Sequence, residues 1–243
     1  MPDLGMTNLN DVLEDARRIT NACDLPLLVD IDTGWGDPLN VNRCIREMIQ
    51  AGVAAVHMED QFLEKRCGHR PGKQVISKIA MADKIKAAVD AKTDSHFVVM
   101  ARTDALASEG LEATIDRCQA YIDAGADMIF AEAVTQIEQY KKFVNELNVP
   151  ILANITEFGK TPLFTLEELK NAGISMALYP LSVFRAMSKT AEQVYKTIRK
   201  QGTQQNLLDN MQTREELYET LNYHYYEGLL DSHFASKERE ENQ

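Results

Sequence analysis

The run Lys65-Arg66-Cys67-Gly68-His69-Arg70-Pro71 sets one thiol among four side chains that are or can become cationic. Neighbouring positive charge favours thiolate over thiol, so the sequence predicts a Cys67 pKa below the free value of about 8.5. That would bring the group within range of proton transfer near neutral pH. The alternative is an ordinary packed cysteine beside a solvated basic run. A second set of residues is acidic. Asp30 and Asp32 stand two apart at the end of an apolar run, a spacing that on a strand projects both to one side, and Glu59 ends the next such run. Hard carboxylates facing one way suit Mg2+, which takes one or two of them and keeps water or substrate oxygens for the rest. They would equally serve to cap nearby helix N-termini. Arg102, Arg185 and Arg214 are spread along the chain; converging, they offer planar forks for carboxylates, and dispersed they are surface salt bridges. A metal, several arginines and a poised thiol together point to chemistry on a polycarboxylate that passes through an enolate.

A repeating alternation must position these groups. Apolar runs at 27–32, 53–58, 97–101, 128–131, 150–153 and 174–178 read as strands, and stretches at 40–51, 77–91, 111–124, 136–147 and 166–172 as helices. A first helix with Thr7 as its N-cap carries Leu9, Val12, Leu13, Ala16 and Ile19 at helical spacing and ends near Cys23. Polar residues fall at the carboxyl end of nearly every strand, Asp32, Glu59, Arg102, Glu132 and Asn154 among them, whereas the amino ends carry Pro, Gly and Ala. That asymmetry predicts a parallel (β/α)8 barrel with its chemistry on the top face. A doubly wound sheet is the alternative and would normally show a Gly-rich phosphate turn, a pattern this sequence lacks. Six strands are legible where a closed barrel has eight; at roughly 30 residues per unit, the expectation is that two βα units precede Met1. From Ser182 the chain reads as helix, loop and helix, with a capping box at Thr213-Arg214-Glu215-Glu216 and a frayed end over 237–243. The sequence thus predicts one partial barrel domain over 1–243, of which 182–236 are C-terminal helices.

Composition narrows the partners. The 243 residues are 44% hydrophobic and 26% charged, enough for a sizeable core, and a net charge of -11 argues against nucleic acid or an anionic membrane as partner. An anionic substrate would require cations gathered locally. No apolar run is long enough to span a bilayer, and Met1-Pro2-Asp3-Leu4-Gly5 lacks the features of a signal peptide, so a cytoplasmic location is expected. Cys23, Cys44, Cys67 and Cys118 fall in different elements without a C-x-x-C pair, which indicates neither a disulfide framework nor a zinc site.

The cysteine run, together with Val29-Asp30-Ile31-Asp32-Thr33-Gly34, Met100-Ala101-Arg102-Thr103-Asp104-Ala105, Asn154-Ile155-Thr156-Glu157-Phe158-Gly159 and Met211-Gln212-Thr213-Arg214, resembles the isocitrate lyase and phosphoenolpyruvate mutase superfamily. Within it the chain is most similar to the 2-methylisocitrate lyases, over essentially all of its length. The cysteine loop favours the lyases over the mutases and hydrolases. Arg66, where isocitrate lyases usually carry Lys, favours the methylisocitrate branch. The resemblance implies cleavage of 2-methylisocitrate to pyruvate and succinate in the methylcitrate cycle of propionate catabolism, with Mg2+ (or Mn2+) held by Asp30 and Asp32 and with Asp3 and Glu59 nearby. It further implies that Cys67 acts as general acid, in a loop shared with His69. Substrate would be contacted by Cys67, Gly68, Arg102, Glu132, Asn154, Ile155, Thr156, Arg185 and Arg214. A homo-oligomer, a tetramer by the resemblance, is expected. The competing expectation is an inactive fragment serving as an interaction or assembly subunit, since the Ser-Gly-Gly substrate segment of the family has no counterpart here.

Overall fold

The structure, a computed structural model, describes residues 1–241, with side chains through Phe234. Two compact units divide the chain, Met1–Ser182 and Val183–Gln243. In the first, every apolar run becomes a strand: β1 (Leu28–Asp30), β2 (Ala55–Glu59), β3 (Val98–Thr103), β4 (Met128–Ala131), β5 (Ile151–Asn154) and β6 (Met176–Leu178). All neighbours pair in parallel, in the order β1-β2-β3-β4-β5-β6. A sheet whose spatial order follows its sequence order has no switch point, so the doubly wound alternative is excluded and a curled half-barrel of βα units remains.

The helices of this unit are α1 (Leu9–Ala22), α2 (Pro38–Gln50), α3 (Lys78–Asp90), α4 (Leu106–Glu109), α5 (Leu111–Asp123), α6 (Ile137–Glu146) and α7 (Leu166–Asn171). Their starts follow local chemistry. The cap of α1 is Asn8 rather than Thr7: its side chain accepts from the N–H groups of Asn10 and Asp11, and Asp11 returns the bond to the Asn8 N–H. Pro38 opens α2, where a missing N–H costs nothing. Ser77 and Thr165 cap α3 and α7. The single turn α4, between Ala105 and Gly110, has too short an apolar pattern to be read from sequence.

Alternation along the strands sorts their side chains into two faces. Val29, Val56, Met58, Val99, Ala101, Ile129, Ala131, Ile151 and Ala153 join the helices in the main core. On the other face, Met100, Phe130 and Leu152 form a smaller buried cluster with the partly buried Leu28, Met128 and Leu178. Two residues further along the same face stand Asp30, Arg102, Glu132 and Asn154, with His57 and Glu59 on β2 between β1 and β3. One alternation therefore builds an apolar plug and a polar layer directly above it.

The second unit holds α8, which runs from Ser182 to Gln201, a 3-10 turn at Gln205–Asn210, α9 (Arg214–Thr220) and α10 (Tyr223–Glu241). Thr213 and Glu216 form the expected capping box. Helix α10 continues to Glu241 where fraying is expected from 237 onward, and the last two residues lie outside those described. No helix among the described residues is long and apolar enough to cross a membrane.

The turn after β1 depends on Gly34, which has φ +85° and whose N–H donates to the Ile31 carbonyl at 2.8 Å. A Cβ there would lie 2.6 Å from Val41 Cγ2 and 2.8 Å from Met58 Sδ. Gly34→Ala is expected to lower stability by about 2 kcal/mol through strain and overpacking together, read as a reduced urea midpoint with an unchanged slope.

Candidate active site

The polar layer is organised around Arg102, which is buried at the end of β3. Its Nε lies 3.0 Å from Asp104 Oδ2 and 3.3 Å from Glu59 Oε2, and its Nη2 lies 3.2 Å from Glu132 Oε2. Beneath it the Phe130 ring centroid is 4.9 Å from the guanidinium carbon, a cation–π contact. Three buried carboxylates thus converge on one cation, and each finds a different second partner. Lys73 Nζ is 2.8 Å from Asp104 Oδ1. Asn154 Nδ2 donates to Glu132 Oε2 at 3.1 Å, and His69 Nε2 lies 3.1 Å from Glu132 Oε1. Gln61 Nε2 donates to Glu59 Oε1 at 3.0 Å.

These surroundings separate two glutamates that share a cation. Burial pushes Glu59 up, above the usual carboxylate range, more than Arg102 pulls it down. Burial acts on Glu132 in the same sense, but Arg102 and the His69 bond outweigh it and bring it down to about 2. The His69 tautomer follows from geometry: the Lys160 N–H donates to Nδ1 at 2.9 Å, so Nε2 carries the hydrogen that faces Glu132.

The four cations expected around the thiol are otherwise engaged. Lys65, with a side chain only 2% exposed, lies 2.6 Å from Asp32 Oδ1, 2.9 Å from Asp3 Oδ1 and 3.5 Å from Glu59 Oε1. His69 serves Glu132, Arg66 Nη1 donates to the Pro71 carbonyl at 3.5 Å, and Arg70 is exposed. Three acids, the buried Glu59, the half-buried Asp32 and the exposed Asp3, draw the lysine to themselves, an obligation invisible in a linear sequence. Cys67 itself is half-buried at the loop tip. The next residue enters the polar layer so closely that a Cβ on Gly68 would lie 2.4 Å from Glu132 Cγ, 2.6 Å from Arg102 Nη2 and 2.8 Å from Asp104 Oδ1.

The two aspartates do not project as a strand pair. Strand β1 ends at Asp30; Asp32 lies beyond it with φ +49°, and its N–H donates to Asp30 Oδ1 at 2.8 Å. Asp30, its side chain 46% exposed, opens toward solvent. Against the desolvation that would raise it, the charges of His57, Arg102 and Lys65 and the Asp32 N–H hold its carboxyl below the ordinary range. Asp32 moves the other way, because burial outweighs its bond to Lys65. His57, which the sequence reading did not single out, sits opposite Asp30 in register with Nδ1 3.6 Å from Oδ1, and burial pushes its imidazole down more than Asp30 pulls it up. Among the described residues no three His, Cys, Asp or Glu side chains are grouped as a ready metal cage. An ionised, accessible carboxylate beside a second one fits Mg2+ better than a soft or cage-bound metal, since this ion keeps most of its water.

The structure therefore brings together Asp3, Asp30, Asp32, Glu59, Gly68, His69, Arg102, Glu132 and Asn154 of the expected residues, with Cys67 immediately beside Gly68. Ile155 and Thr156 follow Asn154 and are buried. Arg185 on α8 and Arg214 at the start of α9 belong to the second unit. Asp104, Lys73 and Gln61 were not among the expected site residues. For Asp104 the signal was present, two positions past Arg102 at a strand end; for the other two only the folded loop supplies it.

A half-barrel whose strand ends collect carboxylates, arginine and a cysteine loop defines a β/α-barrel enzyme acting on small anions. The phosphoenolpyruvate phosphomutase family model matches residues 1–199, and the chain belongs to this family, within the isocitrate lyase and phosphoenolpyruvate mutase superfamily. It is 59% identical over 238 residues to the 2-methylisocitrate lyase of Salmonella typhimurium, covering 98% of this chain and 81% of that protein. Among solved structures, oxaloacetate acetylhydrolase in complex with the inhibitor 3,3-difluorooxalacetate superposes with a TM-score of 0.89 at 35% identity, covering 96% of this chain and 79% of that one. Phosphonopyruvate hydrolase in complex with oxalate and Mg++ does so with a TM-score of 0.82 at 26% identity, covering 94% and 80%.

The Glu132 pairing has a signed pH consequence. With its folded pKa lowered from the ordinary value of 4.5 to about 2, it contributes stability that is complete above pH 4.5 and lost as pH falls toward 2. Glu132→Gln should flatten the acid limb of a stability–pH curve in that window, measured by urea unfolding at a series of pH values.

Proposed function

We propose that this chain is a carbon–carbon lyase that cleaves 2-methylisocitrate to pyruvate and succinate with the help of Mg2+. The observation that carries the reading is the docking of Gly68 against Arg102, Asp104 and Glu132, which brings the residue next to Cys67 up to the buried guanidinium at the strand ends. The likeness to the Salmonella typhimurium 2-methylisocitrate lyase supports the choice of substrate.

Asp30 and Asp32 would hold the metal, directly or through water, with Asp3 and Glu59 nearby. Bound Mg2+ would supply Lewis acidity at the hydroxy-acid end that becomes pyruvate, stabilising developing oxyanion charge. Arg102 directs Nε and Nη2 to protein carboxylates, which leaves Nη1 outside those bonds for a substrate carboxylate. Asn154 and Gly68 stand at the same end, to which the resemblance adds Ile155 and Thr156, and Glu132 holds Arg102, His69 and Asn154 in one arrangement. As the substrate hydroxyl gives its proton to water and the carbon–carbon bond breaks, the electron pair stays on the succinate half, and the Cys67 thiol gives its proton to that carbon and is left as thiolate. His69 keeps the loop tip against Glu132 during the transfer. The resemblance alone adds Arg185 and Arg214 as substrate contacts. The wider reading is a cytoplasmic homotetramer of the methylcitrate cycle.

The deciding assay is pyruvate release from 2-methylisocitrate with and without Mg2+; no Mg2+-dependent release by the wild-type chain would sink the reading. Cys67→Ser should lower kcat by about 10²-fold or more, the range for loss of a general acid, with Mg2+ affinity by calorimetry unchanged. Arg214→Ala should act mainly on KM, raising it roughly 10- to 100-fold for one charge-assisted carboxylate contact.

A further inference from the structure

The loop that carries Cys67 leaves β2 at Gln61 and returns at Val75, and these two residues form an antiparallel bridge across its neck. The Phe62 N–H donates to the Gln74 carbonyl at 3.1 Å and the Ile76 N–H to the Asp60 carbonyl at 2.8 Å, closing the neck on either side of the bridge. Neck bonds fix where a loop begins and ends, but not where its tip points. The Gln61 side chain, buried with the residue at 1% exposure, crosses the loop to do so. Its Oε1 accepts the Arg66 N–H at 3.0 Å and its Nε2 donates to the Arg66 carbonyl at 2.8 Å, reproducing with one amide the two-way pairing of a neighbouring strand. The other Nε2 hydrogen goes to Glu59 Oε1 at 3.0 Å. Both donors of the amide are thereby used.

We infer that Gln61 is the positioning residue for Cys67: it clamps the Arg66 backbone to Glu59, so that thiol and Gly68 enter the polar layer at one fixed depth. No other side chain meets the requirement at this position. Asn falls one methylene short, Leu fills the space without bonds, and an ionised Glu would set negative charge against Glu59 and the Arg66 carbonyl, with no hydrogen to give either. The inference rests on the reading of Cys67 as the general acid, and its test separates the two.

The clamp is read in the 243-residue chain by amide hydrogen exchange at Arg66 and by the rate of Cys67 alkylation with iodoacetamide, corrected with Cys67→Ser for the exposed Cys23. Gln61→Leu and the isosteric Gln61→Glu should each speed both by at least about tenfold, the loss of two to three neutral hydrogen bonds. They should also lower kcat more than they raise KM. Wild-type rates of exchange and alkylation in both variants would overturn the clamp. Should neither variant fold, the wild type still decides, because an Arg66 amide exchanging at the rate of an unstructured peptide is incompatible with it. A wild-type chain inactive on 2-methylisocitrate would remove the functional reading, and the exchange and alkylation results would still decide the clamp.

Discussion

One guanidinium facing three buried carboxylates is the interaction on which the rest of this half-barrel depends. Arg102, Glu59, Asp104 and Glu132 all lie out of water, where an uncompensated charge costs several kcal/mol. One cation cannot neutralise three anions, so the surroundings distribute the remainder. Lys73 compensates Asp104, and His69 with Asn154 stabilises the ionised Glu132. Glu59 retains affinity for its proton. Its Oε2 is buried without a hydrogen bond, and burial outweighs the pull of Arg102 and Lys65, so a proton there relieves the desolvation.

That distribution accounts for the behaviour of the cysteine loop. Lys65 is the counter-ion and His69 the hydrogen-bond donor of acids contributed by other parts of the chain, and the loop is thereby held down at both sides of Cys67. Gly68 then fits where no side chain could, between Arg102, Asp104 and Glu132. A partly satisfied polar cluster is worse than none, so withdrawing the loop would strip Glu132 and Asp32 of partners at once. The thiol's position is set by the charges beneath it as much as by the loop's own sequence.

Much of this was legible from the chain alone. Short apolar runs and amphipathic stretches have periods that local physics enforces, and all six strands and their parallel alternation follow from them. Strand-end polar residues announced Glu59, Arg102, Glu132 and Asn154, since alternation carries each to the face that holds the plug. What failed depended on chain reversal or on register. Asp32 does not project beside Asp30, because the strand stops at Asp30 and the backbone turns through a left-handed residue. His57 lay hidden in an apolar run and gained meaning only when β1 and β2 aligned it with Asp30. Lys65 reads as a neighbour of the thiol until the fold gives it three acids. The placement of Arg185 and Arg214 depends on a unit whose helices carry their own caps and pattern, and nothing in their spacing ties them to the strand ends.

The apolar plug under the polar layer is the remaining structural condition. Met100, Phe130 and Leu152 exclude water from below, so the charges above them act through a medium of low polarisability, where attraction and misplacement both count for more. Phe130 takes part twice, under the Arg102 guanidinium and in a T-shaped contact with His57 at 5.3 Å between centroids. A ring that meets both a cation and an imidazole fixes the spacing between the arginine end of the site and the Asp30 end. The same alternation that buries Phe130 raises Glu132 two residues later, so packing and charge placement on β4 cannot be varied independently. A substitution chosen to reshape the apolar layer would therefore also move Arg102, and with it the three carboxylates it joins.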